Sequence, residues 1–465
     1  MGASIPIIGV NAGARLDRLP FSAFHSRIVL LIGTGMFLDA CDIYMAPGIL
    51  GALVKAGWSD MQTNATFLSA TFLGMLIGTF TSGFIGDRYG RRFSYQFNLL
   101  VFGGASFAAA FAPNMPMLIA LRFLMGIGMG AEIVIGYSTL AEFMPRAVRG
   151  RSVTILSAIT NTAVVVAGFG GLWIIPAFGW QYMFGIVGVA ALIVWVMRKN
   201  MPESPRWLES QGRAQDADAL LCSIEAEVAK SGSLPPIGHT TAPVIDAGRF
   251  TELFGPSLIR STILGAIIAL VGSVSLYGFL SWVPTFLVKQ GLSLNSSLLA
   301  TAIMGLGAPL GGIVASLLAD RAGRARTLIA LTLLEALLGV AYVYTQSQFE
   351  LVAVGFGVTL CAYALVALGF GLYIPELFPT RLRIRGVSVA AGTGRLAGAG
   401  IQFVIVGLFS HFGVAAVAAF LVVALLVQVV AIMVLGRETQ NRSLEDIESP
   451  TPNVPGAELR RQLPA

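Results

Sequence analysis

Charge is scarce in this chain. Of 465 residues only 12% are Asp, Glu, Lys or Arg, while 55% are hydrophobic, against roughly 25% charged in an ordinary soluble domain. A soluble fold of that composition has too little polar surface to cover its apolar content, so lipid is the expected solvent. Cysteine is nearly missing: Cys41, Cys222 and Cys361 stand far apart without metal-ligand spacing, which argues against both a zinc-type site and a disulfide framework. No Gly-x4-Gly-Lys-Ser/Thr run occurs, so the phosphate-cradling loop of an ATP-driven pump is absent. No nucleophile–base set or metal constellation suggests an enzyme, and no cofactor is expected. The opening residues 1–26 also lack a short apolar core followed by a small-residue cleavage site. The first span is therefore expected to serve as an uncleaved insertion signal.

What the chain does have is apolar runs long enough to cross a bilayer core, which takes about 20 residues per helix. Twelve are read, near 27–54, 64–86, 93–112, 116–142, 152–176, 178–197, 259–287, 297–319, 327–346, 350–374, 386–410 and 413–436. The runs at 178–197 and 386–410 are the least distinct as separate spans. The predicted organisation is a tail (1–26), a six-helix half (27–197), a polar central loop (198–258), a second six-helix half (259–436) and a tail (437–465). In the loop, Ala219, Leu220, Cys222, Ile224 and Val228 punctuate charges at helical spacing, which predicts a short helix lying under the bundle. A flexible connector is expected over 231–244, and the Pro-containing tail after Arg437 reads as disordered.

The net charge of +6 invites a nucleic-acid reading that its distribution refutes. Lys55 and Lys289 alone fall in loops after odd-numbered spans, and Arg122 and Arg395 lie within spans. Every other Lys and Arg sits in the tails, the even-numbered loops or the central loop. That asymmetry places both termini in the cytoplasm, in a multi-pass protein of the inner membrane whose surroundings are lipid and whose excess charge meets anionic headgroups.

One short sequence occurs twice, each copy at the end of a long apolar run. The first is Gly83-Phe-Ile-Gly86-Asp87-Arg88-Tyr89-Gly90-Arg91-Arg92, and the second is Ala319-Asp320-Arg321-Ala322-Gly323-Arg324. Glu142, Pro145 and Arg149 recur likewise as Glu376, Pro379 and Arg383. A doubled membrane bundle is the arrangement secondary transporters use to rock one half against the other around a midplane site. A carboxylate such as Asp87 can pair with a neighbouring arginine, Arg91 or Arg149; alternatively, these arginines only anchor loops. Gly126, Gly128 and Gly130, and Gly392, Gly394, Gly398 and Gly400, are read as small residues that let membrane helices approach closely.

These motifs, with Arg122-Phe-Leu-Met-Gly126, Pro202-Glu203-Ser204-Pro205-Arg206-Trp207-Leu208 and Glu376-Leu-Phe-Pro379, resemble the major facilitator superfamily. The likeness is to its sugar-porter-like branch and covers essentially the whole chain. The resemblance implies an all-α integral membrane fold of twelve transmembrane helices in two pseudo-symmetric six-helix bundles, working by alternating access as a monomer on a small-molecule substrate. It also implies that Asp87, Arg88, Arg91, Arg92, Glu142, Arg149 and Glu203, with Asp320, Arg321, Arg324, Glu376 and Arg383, latch the cytoplasmic side shut in the outward-facing state. Ser316 and Ala325 stand where the first copy has Gly83 and Arg92, so the second latch is expected to be weaker.

The seventh span contains no Gln, unlike the hexose porters, and so supplies few fixed groups for sugar hydroxyls. Charges within spans are costly and should face the bundle interior with a partner. Asp39 and Asp42 are three apart and share one face of the first span. Two carboxylates so close in low dielectric cannot readily both ionise, so one is expected to carry a proton. The Asp39-Ala40-Cys41-Asp42 element looks like the paired aspartates of aromatic-acid:proton symporters, with Ala40 in place of their usual Gly. Glu132 matches an acid common in organic-ion and niacin-type relatives. The family resemblance brings all three acids toward one cavity as proton carriers; a buried ion pair with Arg122 that only fixes packing stays open. Glu335 is assigned a structural or peripheral place. Arg395 resembles the arginine of organic-ion transporters and suits bidentate carboxylate binding, with Asn161 as its counterpart in the other half. Tyr277, Trp282 and Tyr363 are taken to flank the substrate; pairing of Arg395 with an acid is the alternative. The reading is proton-coupled import of a small organic anion, an aromatic or other monocarboxylate. Its rivals are a sugar, organic-cation or drug carrier of the same fold, an exporter, and a sensor that never turns over.

Overall fold

A computed structural model describes residues 10–145, 148–230, 232–237, 249–379 and 382–438. The tails 1–9 and 439–465 and most of the expected flexible connector, residues 231 and 238–248, lie outside the described residues. Among the described residues, twelve helices cross the molecule. In the first half they are α1 (Ala23–Lys55), α2 (Met61–Tyr89), α3 (Arg91–Ala109), α4 (Met115–Phe143), α5 (Arg149–Phe178) and α6 (Gln181–Met197). In the second they are α7 (Ile259–Phe279, resumed over Val283–Lys289), α8 (Leu294–Gly305 and Gly307–Ala322), α9 (Arg324–Val343), α10 (Gln348–Leu368, continuing through a π turn at Gly369–Tyr373), α11 (Arg383–Phe412) and α12 (Val414–Leu435). Eleven of these, among the described residues, are long and apolar enough to span a membrane. The exception is α3, whose Ser94, Asn98 and Ser106 are buried against neighbouring helices rather than shown to lipid.

The duplication is written in the backbone. Left-handed glycines close the turns at Gly57, Gly90 and Gly179 (φ 68°, 92° and 99°) and again at Gly291, Gly323 and Gly413 (φ 94°, 90° and 77°). Each glycine in the second set holds the position of its partner in the first. The turns at Gly179 and Gly413 separate α5 from α6 and α11 from α12, at one edge of each of the two runs that were least distinct as spans. Helix starts are fixed by side chains: the Asp60 carboxylate accepts the Thr63 amide at 2.7 Å and Asn114 accepts that of Met117 at 3.0 Å, satisfying donors that no helical carbonyl reaches. Close packing occurs at Gly126, Gly128, Gly130, Gly394 and Gly398 of the small residues singled out in the sequence, whereas a Cβ on Gly392 or Gly400 would meet nothing within 4 Å. Gly307 is a close approach outside that set. A Cβ on Gly126 of α4 would stand 2.5 Å from the Thr71 carbonyl of α2, and one on Gly307 of α8 would stand 2.8 Å from that of Phe356 on α10.

Among the described residues, apolar contacts join the two halves at one face and midway along the seam. The larger cluster joins Ile49, Leu53 and Phe72 of the first half to Trp282, Phe286, Leu298 and Ile405 of the second. It sits at the face away from the arginines. There a Cβ on Gly48 would come within 3.0 Å of Leu298, and one on Gly51 within 3.3 Å of Pro284. At the arginine-rich face each half keeps its own cluster: Phe24, Ile28, Phe143 and Leu156 in one, and Leu253, Leu264, Phe378 and Leu382 in the other.

Before α1 the chain differs from a bare tail. Asn11 caps a short helix, Ala12–Asp17. This helix docks on two short helices of the central loop, Pro205–Ser210 and Ala214–Ala229. The second of these matches the helix expected from periodicity.

Candidate functional site

Asp39 and Asp42 both lie in α1 and are buried, at 2% and 0% exposure, but their surroundings diverge. Asp42 forms an ion pair with Nη1 of Arg122 from α4. Arg122 also donates from Nε to Thr71 Oγ1 at 2.8 Å and from Nη2 to the Asp42 carbonyl at 3.2 Å. Its guanidinium lies 5.0 Å from the Phe67 ring centroid. The site thus holds the buried pair that the sequence offered as the alternative to a free acid. Neither carboxylate oxygen of Asp39 has a hydrogen-bond partner among the described residues.

Glu132, the third acid, pairs with Arg198 at 2.5 Å, both fully enclosed. Arg198 is the residue sequence reasoning missed. It follows α6 directly and was counted with the loop charges, yet its side chain turns back into the bundle. There Nε donates to the Leu31 carbonyl at 2.9 Å and Nη2 to that of Ile32 at 3.1 Å, and the guanidinium packs 4.9 Å from the Tyr95 ring centroid. The space exists because position 35 is glycine: a Cβ on Gly35 would overlap the Arg198 guanidinium and reach Glu132 Oε1 at 2.7 Å. A signal was present, since three acids in the first half faced a single intramembrane arginine.

In the second half Arg395 lies twelve residues into α11, about 18 Å from its start at 1.5 Å per residue. It is partly buried and makes no ion pair or hydrogen bond among the described residues. Tyr277 of α7 lies within reach of its charge. The Tyr277 ring packs 4.5 Å from Phe72 of α2, and Tyr363 of α10 lies 6.2 Å from Tyr44 of α1. Tyr44, Tyr277 and Tyr363 share one cluster with Val164 of α5 and Ala308 of α8, so aromatic rings from both halves meet midway along the seam. Asn161 of α5 is partly buried and faces Gly312 of α8, with its amide 4.0 Å from where a Cβ would stand. Trp282 lies elsewhere. It is fully buried in the seal between the halves, donates to Gln402 at 2.9 Å and stacks on Phe286. Gln402, from α11, gave no sequence signal beyond being a buried amide in an apolar run.

At the arginine-rich face the doubled motif forms ion pairs within each half. Arg91 bonds Glu142 at 2.9 Å and Asp87 at 3.0 Å, and Arg324 bonds Glu376 at 3.3 Å. Glu203 accepts the Arg91 amide at 2.8 Å, and Glu438 accepts that of Arg324 at 2.7 Å. An acid from a distant segment thus caps the helix after Gly90 and the helix after Gly323, and Glu438 is a repeat partner the sequence reading did not name. Arg92 donates to the Lys199 carbonyl at 2.6 Å, Arg88 lies over the Tyr89 ring, and Arg383 donates to the Pro375 carbonyl at 3.2 Å. Asp320 and Arg321 lie in α8, but their side chains fall outside the described residues.

Arg149 bonds not Asp87 but Asp17 of the N-terminal helix, at 2.7 Å, and Asp17 also receives Arg206 at 2.8 Å. Arg15 donates to Glu225 through Nε at 3.0 Å and Nη2 at 2.7 Å. Those bonds hold the Glu225 carboxyl below the usual carboxylate range and raise the guanidinium's own pKa. No group of three or more His, Cys, Asp or Glu residues positioned for a metal occurs among the described residues.

Comparison with known proteins fits this architecture. The chain is 36% identical over 442 residues to the inner membrane metabolite transport protein YdjE of Escherichia coli (strain K12), spanning 94% of this chain and 98% of that one. It is 31% identical over 447 residues to the niacin transporter NiaP of Acinetobacter baylyi (strain ATCC 33305 / BD413 / ADP1), covering 93% and 99%. The xylose transporter XylE from E. coli, in a partially occluded inward open conformation, superposes with a TM-score of 0.72 at 18% identity, covering 91% of this chain and all of that one, and so shares the fold. The sugar (and other) transporter family matches residues 46–450, and the chain belongs to that family of major facilitator transporters.

Proposed function

We propose that this transporter imports a small organic anion, an aromatic monocarboxylate, across the inner membrane together with protons, by alternating access. The observation that carries the reading is Arg395. It is a guanidinium at mid-membrane depth, beside Tyr277 and the seam between the halves, without an acid of its own among the described residues. An unpaired charge at that depth is costly, and a planar carboxylate satisfies its fork of donors in a way a sugar hydroxyl does not. Tyr277, Tyr363 and Tyr44 supply aromatic edges and faces for a ring. Niacin, which the relative NiaP is named for carrying, has this chemistry of an aromatic ring with one carboxylate.

Asp39 is the proton carrier in this reading. It is buried beside two ion pairs and takes part in neither, so its charge changes without breaking a pair. In this reading the arginine-rich face is cytoplasmic, and a seal at the opposite face belongs to the inward-facing arm of the cycle. Substrate binding and the cytoplasmic ion pairs shift the balance between the two arms only through differential contacts with them.

Purified protein in liposomes, supplied with labelled nicotinate, benzoate or xylose under an inward proton gradient, tests the reading. Carboxylate uptake that follows the gradient and is lost in Arg395→Ala supports it. Uptake of xylose alone, or carboxylate uptake unchanged in Arg395→Ala, overturns it.

A further inference from the structure

The second half holds a buried acid that this cycle does not use. Glu335 of α9 is 1% exposed and lies eleven residues into its helix, about 16 Å from the arginine-rich end at 1.5 Å per residue. Its Oε1 accepts a hydrogen bond from Ser275 Oγ of α7. Its Oε2 has no partner among the described residues. Beside it is a cavity of about 30 Å³ lined by Ser275, Phe279, Phe286, Gly339, Tyr342 and Val414, among others, large enough for a water molecule. Tyr342 is next to the last residue of α9 and Val414 is the first of α12, so the cavity leads from Glu335 toward the face away from the arginines.

Among the described residues, no cation pairs with it. Cys361 of α10 lies within range of the Glu335 charge, Tyr342 of its own helix and Ser275 of α7 line the cavity, and α12 lines it with apolar side chains alone. A carboxylate in such a setting keeps its charge poorly unless paired, yet nothing in the packing forces an acid there.

We propose that Glu335 is a second proton-binding site, loaded from the face away from the arginines, so that each half of the transporter carries one proton. This rests on the reading of the chain as a proton-coupled carrier. In the loading step a hydronium ion in the cavity gives its proton to Oε2 and leaves as water. The Ser275 bond to Oε1 survives in both states, and release returns the proton from Oε2 to water. Ser275 and Tyr277 lie on the same helix, which ties the protonation of Glu335 to the position of the helix beside Arg395. With one monocarboxylate anion and two protons, each cycle moves one net positive charge.

Infrared titration of the purified full-length protein between about pH 5 and 9 reads the site without any substrate. The expected result is a carboxylic-acid C=O band that fades with rising pH, is absent in Glu335→Gln, returns in Glu335→Asp and shifts in frequency in Ser275→Ala. A spectrum unchanged by Glu335→Gln, or a Glu335 band that persists at every pH, assigns the residue a fixed hydrogen bond only and overturns the proposal. In liposomes, benzoate-driven current per benzoate transported should fall to zero in Glu335→Gln; a current equal to wild type overturns the two-proton count. If no carboxylate is carried at all, the earlier functional reading fails, while the infrared titration still decides whether Glu335 binds a proton.

Discussion

The two halves share a backbone plan and spend their buried charges differently. At or within its spanning helices the first half sets Asp39, Asp42 and Glu132 against Arg122 and Arg198, leaving one acid over. The second half holds Glu335 and Arg395, which form no ion pair with each other or with another described residue. Duplication therefore preserved the glycine turns and the capping glutamates while the interior polar groups diverged. The lesson is that symmetry serves the rocking motion, whereas the unmatched charges mark where each half does separate work.

The comparison breaks first at Arg395. Replacing it with Ala should lower kcat/KM for a carboxylate about 30- to 1,000-fold, since losing a charge-assisted bidentate contact costs about 2–4 kcal/mol. Arg395→Lys should recover part of that by keeping charge without the fork. Initial-rate uptake at several concentrations measures both, and equal losses in the two variants would remove the bidentate argument.

The next largest effect concerns the matched pairs. Glu132→Gln strands Arg198 in the bundle, and breaking such a pair costs about 3–5 kcal/mol. It should lower the melting temperature in detergent clearly more than the double change Glu132→Met with Arg198→Met, which leaves no orphan charge. A single variant as stable as wild type would show that the pair is dispensable. Asp39→Asn, by contrast, breaks no ion pair. Its melting temperature should stay near wild type, while accumulation against a gradient is lost and exchange of substrate across the membrane continues. Retained pH-driven accumulation would remove Asp39 from the proton path.

Two smaller effects sharpen the picture of the faces. Gly51→Val crowds Pro284 and should hinder closure of the seal, raising the labelling rate of a cysteine placed at Leu298 by a membrane-impermeant maleimide. At the opposite face, Glu225 is held below the usual carboxylate range by Arg15. Its contribution to docking of the N-terminal helix is thus fully present above about pH 4.3, the ordinary glutamate value, and disappears as pH falls through its lower folded value. Glu225→Gln should remove about 1 kcal/mol at neutral pH, after allowance for solvent screening. Amide exchange over Ala12–Asp17 should then run several-fold faster.

Much of the fold was legible because lipid imposes a simple rule: apolar runs near 20 residues become helices, and the repeated glycines mark their ends. The runs at 178–197 and 386–410 were the least distinct in the sequence, and the positive-φ turns at Gly179 and Gly413 showed only in the backbone. The site was read less evenly. Charges inside apolar runs announced Asp42, Glu132 and Arg395. Arg198 did not, because an arginine at a span end looks like any loop charge until its side chain is traced inward through the gap at Gly35. Trp282 was placed beside the substrate on residue type alone, yet packing and Gln402 take it into the seal. Glu438 was hidden in a polar tail whose repeat relation to Glu203 has no flanking motif.

The seal itself has a thermal consequence. The contacts described across it, Gly48 to Leu298 and Gly51 to Pro284, are apolar, so parting them breaks none of the described hydrogen bonds and wets hydrocarbon surface. Wetting of that kind carries a positive heat-capacity change and becomes easier on cooling. Chilled protein should therefore spend more of its time with that entrance ajar, which makes temperature a handle on the cycle that touches no ionisable group.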